Sequence, residues 1–177
     1  MLKSLKIQPT TEEDSPISYQ TSIDLPPDER GELILLLNLR LASAIDLQMQ
    51  MKQAHWNVKG PSFIALHKLF DEISEAVEGY VDLMAERIVQ LGGSAEGTVR
   101  LAAGGTRLPE YSLGLADGLA HVNAVAAALA AFGGHSRTTI GEAEELNDAV
   151  TADLFTEVTR GIDQWLWFVE AHAQARS

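Results

Sequence analysis

An all-α fold, a bundle of four long helices, is what this sequence predicts, and three observations predict it. All six prolines (Pro9, Pro16, Pro26, Pro27, Pro61, Pro109) fall in three places, with long proline-free stretches between them. Those stretches are rich in Ala, Leu and Glu and repeat apolar residues at helical spacing, which favours amphipathic helix over strand. The breaks, such as Lys59-Gly60-Pro61-Ser62 and Gly92-Gly93, have the composition of turns.

Residues 1–28 are polar and aperiodic, so they read as an N-terminal arm, with residues 29–177 as the bundle domain. The first helix is expected from Asp28 to Val58, opened by Pro27-Asp28-Glu29 because proline and acids suit a helix start. Gly60 ends it, and Ser62 is placed to cap the second helix, expected from Phe63 to Leu91. A long crossover follows, with a short helix near Gly97–Ala103. The third long helix is expected from Leu113 to Glu145 and the fourth from Ala149 to Ala173. Gly133-Gly134 conflicts with the third, since each glycine costs up to about 1 kcal/mol there, so a kink or stop is open at that point. Four long helices with one long crossover, carrying a short helix between the second and third, describe a ferritin-like four-helix bundle.

Composition excludes several functions. The chain has 177 residues, 46% hydrophobic and 21% charged, as expected of one globular domain. The 13 Lys+Arg against 25 Asp+Glu leave a net charge of −12, which opposes nucleic-acid binding and suits cations as ligands. The absence of cysteine removes disulfides, thiolate metal sites and iron–sulfur clusters. The start lacks the apolar run of a signal peptide, and apolar blocks such as Leu33 to Leu37 are far too short to span a membrane. A cytoplasmic protein with no membrane partner is expected. No Walker loop or dinucleotide fingerprint is present, so the chemistry must come from side chains on helices.

The informative stretch is His55 to Glu86. Residues 61–91 hold Asp71, Glu72, Glu75, Glu78, Asp82 and Glu86 against Lys68 and Arg87. At about 100° per residue, His67, Asp71 and Asp82 share one helix face. Imidazole with carboxylate suits iron, zinc or manganese. Asp71 and Asp82, however, lie about 16 Å apart along the helix, whereas a metal–oxygen bond is about 2 Å. One ion cannot use both carboxylates of one chain. An antiparallel second copy would set His55, His67 and Asp71 opposite its Asp82 and Glu86, giving two sites per two-fold interface. In-bundle di-iron proteins place Glu three residues before a ligating His. Here those positions are Lys52, Ile64, Gly118, Phe132 and Val169, so the ordinary in-bundle site is not expected.

At these residues the sequence resembles the Dps proteins, or mini-ferritins. His55-Trp56-Asn57-Val58-Lys59-Gly60, then Leu66-His67 and Asp71, match one family signature; Val81-Asp82-Leu83-Met84-Ala85-Glu86-Arg87 with Leu91-Gly92 match a second. The resemblance runs from about residue 30 to the C-terminus and includes Ile162-Asp163-Gln164-Trp165-Leu166-Trp167-Phe168. It implies a hollow homododecamer with ferroxidase sites at its two-fold interfaces, built from His55, His67 and Asp71 of one subunit and Asp82 and Glu86 of its mate. The implied chemistry is oxidation of Fe(II), preferentially by hydrogen peroxide, to Fe(III), stored as ferric oxide in the cavity and so protecting against oxidative stress. Zinc is the alternative occupant. The resemblance also implies a radical-quenching role for Trp56 beside the site, and acidic pores in which Asp148 and Asp153 conduct Fe(II).

Other residues read differently. His121, His135 and His172 are expected to be structural, and Glu75 and Glu78 stay open between solvated face and metal contact. Family members that bind DNA commonly use Lys-rich tails. Residues 1–30 instead carry Lys3, Lys6 and Arg30 against six acids, so direct DNA binding is expected to be weak or absent. The competing reading is a DNA-condensing structural shell whose metal sites are vestigial or hold zinc.

Overall fold

The computed structural model describes residues 18–174. It contains five helices: α1 (Pro27–Asn57), α2 (Phe63–Gln90), α3 (Val99–Gly105), α4 (Gly118–Glu145) and α5 (Ala149–Glu170). Among the described residues there is no strand, only one isolated bridge between Lys59 and Asp117. The expected arm lies mostly outside the described residues. Its visible end, residues 18–26, is non-helical, and Tyr19 N–H donates to the Gly92 carbonyl at 2.8 Å.

Two helical hairpins, α1–α2 and α4–α5, form the bundle, joined chiefly by α1 against α4. Their inward stripes supply the core, in which Phe70, Phe132, Phe155, Leu37, Leu47, Met51, Ile73 and Met84 are fully buried. Burial of such side chains contributes about 1.5–3 kcal/mol each and is the main force closing the bundle. No helix of the described residues is long and apolar enough to cross a membrane.

The helix ends explain the element bounds. Leu91 closes α2, and Gly92 follows at φ +90°. Gly92 N–H then donates to Val89 and Gly93 N–H to Ile88, the paired bonds of a Schellman cap. A side chain at Gly92 would also collide with the Tyr19 carbonyl. At the far end of α4, Asn147 takes φ +58° and makes the same pair of bonds, with Asp148 N–H reaching the Ala143 carbonyl. Asp148 immediately caps α5 by accepting from Val150 and Thr151, so two residues end one helix and begin the next.

Three expectations change. The third long helix begins at Gly118, not Leu113, because the Asp117 side chain accepts from Ala120 N–H and caps it there. Ser62 makes no side-chain capping bond. Gly133-Gly134 neither kinks nor stops α4: a Cβ at Gly133 would sit 3.2 Å from the Ile162 methyl, so glycine there lets α4 approach α5 closely. The crossover is held by α1 side chains along its length. Asn38 brackets Ser94 and Glu96, Ser43 accepts from Arg107 N–H, and Gln50 donates to the Pro109 carbonyl.

Candidate metal centre

The turn after α1 brings its last histidine against the first turns of α2. Gly60, at φ +109°, reverses the chain, and Phe63 N–H closes the turn on the Gly60 carbonyl. His55 and His67 then stack, with ring centroids 3.7 Å apart and planes 20° from parallel. Each ring is tied to the other residue's backbone: His55 Nδ1 lies 2.7 Å from the His67 carbonyl, and His67 Nδ1 lies 2.9 Å from the His55 carbonyl. A carbonyl only accepts, so each Nδ1 carries the proton and donates. In the neutral ring this leaves each Nε2 with its lone pair, the tautomer of a metal-ligating histidine. The His67 bond also satisfies one of the unpaired carbonyls in the last turn of α1.

Asp71 follows His67 by one turn and joins the same edge, its Oδ1 being 3.9 Å from His55 Nδ1. Its close partner is the Lys52 ammonium, which ion-pairs and hydrogen-bonds with Asp71 Oδ1. This bond is the largest cause of the lowered Asp71 pKa; partial burial opposes it, and His55, the Lys52 charge and His67 reinforce it. The carboxylate is therefore held ionised. Trp56, next to His55, is 57% exposed.

Asp82 and Glu86 are not brought to this edge. Both are exposed farther along α2. Among the described residues no three His, Asp or Glu side chains, His55, His67 and Asp71 included, group closely enough to hold a metal ion. The chain presents His55, His67 and Asp71 at one edge and Asp82 and Glu86 apart from it. Glu86 lines a cleft of about 190 Å³ between α2 and α5 with Leu83, Val150, Asp153 and Glu157. Asp153, Glu75 and Glu78 are exposed.

Asp148, expected at an acidic pore, is engaged within its own chain. It is 3% exposed, and both its oxygens accept from Arg87, at 2.9 and 2.8 Å. Burial pushes its pKa up, but hydrogen bonds from Thr151 and Arg87 more than reverse this, leaving it below the ordinary 3.8. A helix cap and buried ion pair account for this carboxylate.

The remaining histidines sit elsewhere. His121 is buried and paired with the Tyr111 hydroxyl at 2.6 Å; burial lowers its pKa, and burial raises that of Tyr111 to about 12. His135 lies half-buried, its pKa lowered first by burial and then by Arg40. His172 turns back on its own chain, to the Phe168 carbonyl. Sequence reasoning passed over two residues, Lys52 and Arg87. The signal for Lys52 was present: it precedes His55 by one turn as Asp71 follows His67 by one turn, and antiparallel helices set such positions opposite each other.

Fold and site together define a class: a four-helix bundle with imidazole and carboxylate groups at a surface edge. Comparison with known proteins agrees on the fold. A family model described as a ferritin-like domain matches residues 34–176. The "DNA protection during starvation protein" of Agrobacterium fabrum is 39% identical over 160 residues, covering 90% of this chain and 99% of that one. Among solved structures, a tetragonal form of Mycobacterium smegmatis Dps superposes with a TM-score of 0.85 at 31% identity, covering 90% of this chain and 96% of the other. DpsC from Streptomyces coelicolor gives 0.86 at 28% identity, covering 91% and 94%. The chain belongs to the ferritin-like family, within its Dps group, which implies an iron-binding mini-ferritin.

Proposed function

We propose that the protein is a ferroxidase and iron-storage mini-ferritin of the cytoplasm, with Fe(II) as substrate and hydrogen peroxide as preferred oxidant. The observation that carries this is the reciprocal lock of His55 and His67, which engages both Nδ1 atoms and leaves the two Nε2 atoms uncommitted, with an ionised Asp71 on the same edge. A second copy, packed antiparallel, supplies its own Asp82 and Glu86 to complete each site, and twelve copies enclose a storage cavity. Two Fe(II) each give one electron to a peroxide molecule. Its O–O bond breaks and two protons complete two waters, so no hydroxyl radical is released. Carboxylate oxygen favours the hard Fe(III) product over Fe(II), and Trp56, exposed beside His55, is placed to quench a stray oxidising equivalent. Fe(II) reaches the site past Asp153 and Glu157, which share a cleft with Glu86; Asp148, beside them at the start of α5, holds Arg87. Zinc would bind the same donors without redox chemistry.

The test is anaerobic Fe(II) loading of the assembled protein followed by peroxide, with ferric absorbance recorded for wild type and for Asp82→Ala with Glu86→Ala. These two carboxylates are exposed on α2, so their removal spares the fold. Oxidation at least roughly tenfold slower is expected, and equal rates would remove the proposed site. The DNA-condensing alternative is opposed by the net charge of −12. It predicts a retarded band in a gel-shift assay at physiological salt, where the ferroxidase reading expects free DNA.

A further inference from the structure

Lys52 seats its ammonium in the half-site of His55, His67 and Asp71, against the Asp71 carboxylate. The four side chains form two rungs between α1 and α2: the histidine rings stack on one, and Lys52 pairs with Asp71 on the other. Lys52 and Asp71 are about equally exposed, at 31% and 35% of their side-chain surface, so the ammonium has water to swing into. We propose, building on the ferroxidase reading, that Lys52 is a built-in competitor for Asp71, a positioning residue that makes metal binding there an exchange of one cation for another. A divalent ion that takes Asp71 must first displace the ammonium. The apparent affinity therefore falls by the fraction of time for which Asp71 is free.

Exchange has two consequences for a site through which iron passes. With no metal bound, the ammonium cancels the charge of Asp71, so the edge does not depend on a metal for its arrangement. When a metal leaves, the same ammonium is one side-chain rotation from closing on the carboxylate again, which favours release over retention. Lys52 thereby sets the half-site as a place of transit.

The probe is Zn(II), which binds the same class of donors without changing oxidation state. Calorimetric titration of the assembled protein compares wild type, Lys52→Met, Lys52→Arg and Glu86→Ala. Methionine keeps the unbranched stem and the helix propensity while removing the charge. Lys52→Met is expected to bind Zn(II) roughly tenfold more tightly, and Lys52→Arg to stay near wild type. Unchanged or weaker binding by Lys52→Met, where Glu86→Ala does weaken it, overturns the role of the lysine and leaves the metal site standing. If Glu86→Ala leaves binding unchanged, the inter-subunit site itself fails and the proposal goes with it.

Discussion

At the scale of single residues, Asp148 and Arg87 show how one geometry separates two meanings of an acid. A carboxylate at a helix start is favoured by the dipole wherever it occurs, so the spacing of Asp148 and Asp153 did not distinguish cap from pore. Arg87 shows the cap at work: the guanidinium is 6% exposed and donates to Asp148, Thr151 and Gln90. Replacing Asp148 with Ala leaves that charge buried and unpaired, which should cost about 3–5 kcal/mol. Urea unfolding at fixed protein concentration would measure it, since assembly makes the midpoint concentration-dependent. The sign of the pH dependence follows from the lowered pKa. The stability that Asp148 supplies is whole above its ordinary 3.8 and is lost as pH falls through the lower folded value. The gap between wild type and Asp148→Ala should therefore narrow in strong acid, and a gap that stays constant there would refute the assignment.

At the scale of elements, the sequence was legible where punctuation was covalent and obscure where it was tertiary. Proline at the start of α1 and glycine after α2 placed those ends within a residue of the observed ones. The start of α4 was missed because Leu113–Ala116 reads as helix, whereas the bond that Ala120 N–H donates to the Asp117 carboxylate sets the boundary. The paired glycines of α4 looked alike in sequence and differ in surroundings. A Cβ at Gly134 meets nothing within 4 Å, while one at Gly133 presses on Ile162. Gly134→Ala should raise stability by about 0.5–1 kcal/mol, and Gly133→Ala should lose part or all of that gain. Equal gains from both, in thermal melts of the two variants, would show that close approach of α5 is not what keeps Gly133.

At the scale of the whole molecule, the candidate site was legible in outline because helix geometry alone separates Asp71 from Asp82. The pairing of Lys52 left only a spacing signal, because confirming it depends on the register of the α1–α2 hairpin. The split of the half-sets makes a prediction for mixed assemblies. His67→Ala and Glu86→Ala, each inactive alone, should regain about one quarter of wild-type ferroxidase sites when co-refolded one to one, because half the two-fold pairs are mixed and each holds one intact site. Ferric absorbance after peroxide reads this, and no recovery would place all ligands within one chain. Twelve copies at −12 each would give a shell of roughly −144, attractive to cations and repellent to DNA.

The bonds between His55 and His67 also bear on what the motif certifies. Each histidine holds the other's backbone, so the pair is a joint of the α1–α2 hairpin as well as a source of lone pairs. A descendant that abandoned iron would still loosen this joint by changing either one. Persistence of the two histidines across a lineage therefore records the hairpin as much as the chemistry. The side chains of Asp82 and Glu86 are exposed on α2 and hold no such joint. On the proposed ferroxidase reading, their loss would be the earliest mark of a chain that no longer completes the site.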